Sequence, residues 1–290
     1  MSADRTDRES RAWITGAGGL IGSCLAAPAA ERAPRFAVSG LTRPELDLTD
    51  FSAVERRFRA DSPRLVIHCA ALSKSPDCQA HPALARKINI DATAHLAALA
   101  RDIDFIFLSS DLVFDGRKGY YAEFDPVNPL SVYGETKVAA EQIVLRNPRH
   151  LVLRTSLNSG ATPAGSTAYN EQMRQSWRLG KIVRLFHDEF RCPIPAVVTA
   201  RAVWELAARG ASGLYHLAGA ERLSRVQIGQ LLAVRHPELA ARIESCSLRE
   251  HTAAPRPADT SLNCAKIQPL LSFPLPGLTQ WLRDHPEEVF

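Results

Sequence analysis

Short apolar runs recur along the chain at 12–15, 36–41, 65–69, 105–109 and 151–154, and between them apolar positions return at helical spacing over 52–60, 83–100 and 133–145. The runs are brief and rich in branched and aromatic residues, which marks them as strands covered on both faces. Strands of this kind alternating with amphipathic helices predict an α/β protein with a doubly wound parallel sheet and right-handed crossovers. The rhythm breaks after Arg154. Residues 158–166 are rich in Gly, Pro, Ser and Thr, and a helix-like stretch, a strand-like segment at 182–185 and Cys192-Pro193-Ile194-Pro195 follow. A further strand at 214–217 precedes Ser224, a suitable N-cap for a helix running to about Ala233, and Pro255-Arg256-Pro257 leads into the last short elements. The organisation expected is therefore a disordered lead over 1–11, a dinucleotide-binding domain over 12–156, and a smaller lobe over 157–290 with some segments returning to the first domain.

Composition narrows the class without choosing the function. Of the 290 residues, 46% are hydrophobic and 23% charged, as in an ordinary globular protein, and no apolar run is long enough to span a membrane. The segment 1–11 is charged and lacks the apolar centre of a signal peptide, so a cytoplasmic protein is expected. Six cysteines are scattered with no CxxC pair, which fits reduced thiols better than a disulfide framework or a zinc site, and no metal is expected. The net charge of +4 is small and interleaved, which argues against a nucleic-acid surface while suiting an anionic ligand. Nine histidines show no metal-ligand spacing; His68 and His216 lie inside apolar runs and read as packed core residues, as do Trp177, Trp204 and Trp281 in helix-like stretches.

The first run leads directly into Gly16-Ala17-Gly18-Gly19-Leu20-Ile21-Gly22. A tight strand-to-helix turn needs glycine, close backbone approach admits a pyrophosphate, and the helix start offers free N–H groups and a positive dipole. In this position the glycines at 16, 19 and 22, with Leu20 and Ile21 between the last two, read as the phosphate cradle of a Rossmann dinucleotide site, for NADPH or NADH. The acidic residue that commonly meets the adenosine ribose is absent at the end of the second run, where Gly40-Leu41-Thr42-Arg43 stands; Arg43 would meet a 2′-phosphate, which leans toward NADPH. Asp47, a few residues on, is placed to lie near the adenine.

The run at 105–109 ends in Ser109-Ser110-Asp111-Leu112-Val113-Phe114-Asp115-Gly116, at the carboxyl edge of the sheet where ligands bind. Tyr133 and Lys137 open the next helix at i and i+4, on one face. A phenol titrates near 10, so acid–base work near neutrality needs roughly 4 kcal/mol of preferential support for the phenolate, which a neighbouring ammonium helps to supply. Ser110 would hold a substrate carbonyl while Tyr133 donates a proton to it. A YxxxK pair alone is weak evidence. Following a glycine turn on the first strand and a serine at a later strand end, it is specific.

These stretches, with Ala70-Ala71, Asn89, Asn128-Pro129, Leu153-Arg154-Thr155-Ser156, Asp188 to Ile194 and Arg256 to Leu262, resemble the extended short-chain dehydrogenase/reductases, most closely the dTDP-4-dehydrorhamnose reductase family, over nearly the whole chain. The resemblance implies Ser110, Tyr133 and Lys137 as the catalytic set, and Gly16, Gly19, Leu20, Ile21, Gly22, Asp47, Leu48, Ala70, Ala71 and Asn89 about the cofactor, with Tyr133 and Lys137 touching it as well. It also implies Asn89 as the structural asparagine that helps place the lysine, and Ser110, Asp111, Val113, Phe114, Tyr133 and Arg191 about the substrate, with Arg191 facing a diphosphate. The implied activity is NAD(P)H-dependent reduction of the 4-keto group of a nucleotide-linked deoxysugar or a related ketone, by a chain that can pair as a homodimer. Dehydration is disfavoured because Leu112, not the glutamate of the 4,6-dehydratases, follows Asp111; the continuation to Gly116 argues against an epimerase, which stays an alternative. The resemblance extends to a non-enzymatic relative as well, the regulatory subunit of methionine adenosyltransferase, which keeps the fold and cofactor site. Leu157-Asn158-Ser159-Gly160, Tyr169-Asn170-Glu171 and Ser75-Pro76-Asp77 depart from the reductases where substrate contacts fall, and point to a different sugar or ketone.

Overall fold

The computed structural model describes residues 10–27, 36–165, 168–250 and 255–288; most of the segment expected as a lead, 1–9, lies outside the described residues. The apolar runs all become strands: β1 (Ser10–Thr15), β2 (Phe36–Leu41), β3 (Leu65–His68), β4 (Asp104–Ser110) and β5 (Leu151–Thr155). The helical stretches become α1 (Leu20–Ala26), α2 (Phe51–Asp61), α3 (Ser75–Ala80), α4 (Pro82–Arg86), α5 (Ala92–Leu99) and α6 (Val132–Val144). The later part of the chain contributes α7 (Tyr169–Arg178), β6 (Val183–Phe186), α8 (Ala196–Arg209), β7 (Gly213–Leu217), α9 (Arg225–Arg235), β8 (Ile243–Cys246) and α10 (Leu278–Asp284).

One six-stranded parallel sheet in the order β7-β5-β4-β3-β1-β2 organises the molecule. The chain leaves β1 to one side for β2, then crosses to β3 on the other, so the order reverses around β1 and opens a crevice at the carboxyl ends of β1 and β3. Period-two alternation explains the continuous apolar runs. Ala12, Ile14, Leu65, Ile67, Leu151 and Leu153 face one side with Trp204 of α8, while Trp13, Val66, Phe105, Phe107 and Val152 face the other against α2, α5 and α6. The side chains of both layers are buried. His68 and His216 sit within 1% of full burial, as packed residues; His68 bridges Thr15 and Thr93 at 2.7 and 2.9 Å.

A second core gathers Met173, Trp177, Leu185, Ile228, Leu232 and Trp281 from α7, β6, α9 and α10, beside a parallel pairing of β6 with β8. Thus β7, α8 and the segment bearing Ile267, Leu271 and Leu275 join the core of the large sheet, while α7, β6, α9, β8 and α10 pack as a lobe over its carboxyl edge. Among the described residues no helix is long and apolar enough to cross a membrane. The stretch read as one helix over 83–100 is broken: Pro82 opens α4, and a π turn over Lys87–Asp91 separates it from α5. Such turns re-aim a side chain, here Asn89, which is fully buried.

Candidate active site

A cavity of about 1240 Å³ lies over the carboxyl edge of the sheet, between it and the smaller lobe. At its floor the glycine turn closes as the sequence requires. Gly16 has φ +71°, and a Cβ there would stand 2.7 Å from the Ala70 nitrogen; a Cβ on Gly22 would stand 2.2 Å from the Gly16 carbonyl oxygen. Only glycine permits both approaches, β1 to the loop after β3 and α1 to its own turn. Gly19 is the N-cap of α1 and makes no side-chain cap, and no acidic residue occupies the first turn, so the backbone N–H groups there face the cavity without a competing carboxylate. Leu20, Ile21, Ala70 and Ala71 line the same wall.

At one end the cavity is bordered by Arg43, Asp47 and Leu48. Arg43 is 78% exposed and 3.9 Å from Asp47, a loose pair that leaves the guanidinium available. Asp47 accepts from the Thr49 nitrogen and hydroxyl at 2.9 and 2.8 Å, bonds that hold its carboxyl below the usual range and fix the turn.

At the other end Ser110, Asp111, Tyr133 and Lys137 come together. Ser131 caps α6 through the Gly134 nitrogen, which starts the helix so that residues 133 and 137 both face the sheet edge. Tyr133 is buried, and burial pushes its phenol up, opposed by a hydrogen bond from Ser110 and reinforced by the charge of Asp111. Lys137 donates from Nζ to the Leu108 carbonyl at 2.6 Å and lies 3.9 Å over the Phe107 ring. Burial pulls its ammonium down to about 7, while Glu141 one turn on pushes the other way. Glu141 is itself buried, accepting from Ser109 and held at 2.8 Å by Arg154. The resulting chain of groups fixes the back of the helix to β4 and β5.

Asp111 is enclosed by hydroxyls, accepting from Ser156 at 2.8 Å, Thr260 at 3.0 Å and Ser110 at 3.2 Å. Burial raises its carboxyl, although Arg191 at 3.6 Å and the hydroxyls offset part of that. Arg191 in turn lies 3.2 Å from Glu189, which also takes both arms of Arg256 at 2.8 and 3.0 Å. Burial pushes Glu189 up, yet Arg191 and Arg256, with a smaller contribution from Arg225, outweigh it and hold the carboxyl below its ordinary range.

Two expectations need correction, and a third residue stands on the cavity already paired. Val113 and Phe114 do not line the cavity: both are fully buried in a cluster with Tyr121 and Leu262, Phe114 stacking on Tyr121 at 4.1 Å between ring centres. The segment 115–121 docks on 258–262 through the Gly116 carbonyl and the Tyr121 nitrogen, which turns these apolar side chains inward. Asn89 does not reach the cavity either; its amide holds Leu72 N and O at 2.8 and 3.1 Å and Thr136 at 3.0 Å, bracing the wall loop against the residue before Lys137. Arg191 does line the cavity, but two carboxylates already take its charge. Tyr169, in a segment expected near the substrate, lines the cavity, and so do Glu189 and Arg225, which the sequence did not mark as site residues. One signal was legible: if Ser224 is an N-cap, Arg225 is the first residue of the helix, where a cation opposes the dipole.

The residues present fit a nicotinamide dinucleotide. An elongated cavity joins a glycine cradle with uncapped N–H groups to a serine, tyrosine and lysine, and carries an exposed arginine at its opposite end.

A model described as the RmlD substrate binding domain matches residues 10–289. A dTDP-4-dehydrorhamnose reductase of Sinorhizobium fredii is 30% identical over 92% of this chain and 93% of its own length. A methionine adenosyltransferase 2 subunit beta of Xenopus laevis is 30% identical over 91% of this chain and 84% of its own. The crystal structure of dTDP-4-dehydrorhamnose reductase from Bacillus anthracis in complex with NADP superposes with a TM-score of 0.86 at 21% identity, covering 95% of this chain and 98% of that one.

Proposed function

Because the chain belongs to the RmlD substrate binding domain family, we propose that it is an NAD(P)H-dependent reductase of the 4-keto group of a nucleotide-linked deoxysugar or a closely related ketone. The observation that carries the reading is the meeting of Ser110, Tyr133 and Lys137 at the end of a cavity whose floor is the glycine turn. A bound nicotinamide supplies a hydride equivalent to the carbonyl carbon.

Ser110 presents its hydroxyl to the carbonyl oxygen and fixes its direction toward Tyr133. Burial keeps the Tyr133 phenol protonated through the neutral range, the state a proton donor requires. As the proton leaves, negative charge on the phenol oxygen favours the ammonium form of Lys137, whose position is set by Leu108 and Phe107. Arg43 favours NADPH over NADH by meeting a 2′-phosphate, and the enzyme works in the cytoplasm on a small anionic substrate.

The second reading, a non-catalytic cofactor-binding subunit, is supported by the relative named as a methionine adenosyltransferase subunit. Replacing Tyr133 with Phe separates the two readings. The substitution removes one hydroxyl, and turnover of a keto-sugar should fall at least about 100-fold, the usual worth of a positioned acid, with NADPH affinity within about twofold of wild type. Unchanged turnover would remove Tyr133 as the acid.

A further inference from the structure

Helix α6 presents one stripe of polar side chains to the end of β4. Tyr133, Lys137 and Glu141 stand at i, i+4 and i+8, and all three are buried. Three consecutive residues of the strand meet them. The Leu108 carbonyl accepts from Lys137 Nζ at 2.6 Å, the Ser109 hydroxyl donates to Glu141 Oε1, and the Ser110 hydroxyl bonds the Tyr133 phenol. Glu141 also accepts from Nε and Nη2 of Arg154 on β5, at 3.0 and 2.8 Å, and Arg154 Nη1 lies 3.5 Å from His216 on β7. One carboxylate therefore ties the helix to two strands and stands one turn from the lysine. Packing alone does not call for it, because a buried ion pair stabilises a core no better than apolar side chains of the same volume. Burial works against a charge on Lys137, and Glu141 is the foremost of the groups that oppose it.

Resting on the reductase reading above, we propose that Glu141 is a positioning residue for the reaction, which holds Lys137 in its charged form behind Tyr133 and keeps the Ser110 end of β4 in step with both. Glu141 does not line the cavity, so it acts through Lys137. The titratable groups that face Lys137 are His68 and Cys69 from the end of β3 and Glu141 from α6, with Tyr133 one turn away, and Arg154 from β5 faces Glu141. Burial keeps His68 neutral above about 3, pushes the Cys69 thiol up to about 12 and holds the Tyr133 phenol above its ordinary range. Of His68, Cys69, Tyr133 and Lys137, the lysine, at about 7, is the one whose charge changes near neutrality. Proton donation by Tyr133 leaves a negative charge that the ammonium meets, so the rate follows the ammonium form and falls as pH rises through its titration. Removing the carboxylate disfavours the ammonium and moves that fall to lower pH.

The test follows kcat and KM of the full chain against pH, with NADPH and a nucleotide-linked keto sugar that the wild type reduces, for wild type, Glu141→Gln and Glu141→Asp. Competitive acetylation read by mass spectrometry titrates Lys137 itself, without turnover; NADPH affinity and melting temperature report whether the variants fold. Glu141→Gln should move the alkaline limb of kcat and the Lys137 titration down by about one pH unit, which cuts kcat about tenfold at about pH 8 and only about twofold at about pH 6, with KM within about twofold. Glu141→Asp, which keeps the charge, should recover part of the shift. Because Glu141→Gln strands the Arg154 guanidinium, Glu141→Gln/Arg154→Met, which removes both buried charges, serves where the single variant melts, and should show the same shift. A kcat lowered by one factor at every pH, or a Lys137 titration unmoved by the loss of the carboxylate, would overturn the proposal and leave the reductase reading standing. A wild type that reduces no ketone, with a Lys137 titration that still shifts in Glu141→Gln, would overturn the reductase reading and uphold the coupling of the two residues.

Discussion

Replacing Gly22 with Ala tests whether the turn after β1 is the cofactor's cradle. The added Cβ would stand 2.2 Å from the Gly16 oxygen, 2.7 Å from its carbonyl carbon and 2.9 Å from the Ala17 Cα, all backbone atoms. Gly16 cannot retreat, because its own Cα lies against the Ala70 backbone, where a Cβ would have only 2.7 Å. Relief must come from α1, which has to withdraw by about 1 Å to restore ordinary contact. Such overpacking costs about 1–3 kcal/mol of stability, or roughly 2–10 °C in Tm for a chain of this size. The same movement carries the first-turn N–H groups away from a pyrophosphate. Loss of one charge-assisted bond of about 1.5–3 kcal/mol weakens NADPH binding about 10- to 150-fold. Calorimetry with NADPH, together with thermal melting, reads both effects. Gly18→Ala serves as the stability control, since a Cβ there meets nothing closer than the Thr42 methyl at 3.7 Å. A Gly22→Ala protein with wild-type Tm and NADPH affinity within twofold would refute the reasoning.

Arg43→Ala should narrow the NADPH-over-NADH preference by about tenfold with little change in NADH affinity, measured as the ratio of the two dissociation constants; an unchanged ratio would remove Arg43 from the cofactor site. Stability should fall in mild acid because burial holds His68 and His216 at about 3 against 6.5 for the free side chain, with Lys137 adding to the effect at His68 and Arg154 at His216. Below 6.5 the unfolded chain takes up protons that the native chain refuses, so the contribution of the neutral rings is complete above 6.5 and declines toward 3, by roughly 1.4 kcal/mol per pH unit for each histidine. Urea midpoints compared at pH 7 and 5 measure this, and replacing either histidine with Gln should flatten the slope; equal midpoints for the wild type would contradict the burial argument.

Much of the fold was legible because strands buried on both faces announce themselves as apolar runs bounded by polar turns, and all five runs of the first half became strands. The glycine turn and the YxxxK pair were equally readable, since local geometry fixes where residues 16, 19, 22, 133 and 137 point. The broken helix between Pro82 and Leu99 was less so: a π turn leaves the apolar period nearly intact while rotating one residue, Asn89, inward. Val113 and Phe114 were misplaced because their side chains are aimed by a long-range docking of 115–121 on 258–262, which no local pattern encodes. For the same reason the pairing of Arg191 and Arg256 with Glu189 was invisible. Those partners lie 2 and 67 residues from Glu189 and meet only when the lobe closes over the sheet.

The central claim is best tested by mixing the purified chain with NADPH and a panel of nucleotide-linked 4-keto sugars, dTDP-linked ones first, while following the loss of reduced-nicotinamide absorbance. Oxidation on at least one of them, with formation of the corresponding 4-hydroxy sugar and its disappearance in Tyr133→Phe, is the predicted result. Tight NADPH binding with no oxidation on any member of the panel, together with capture of a methionine adenosyltransferase catalytic subunit, would contradict the reductase reading and establish the regulatory one.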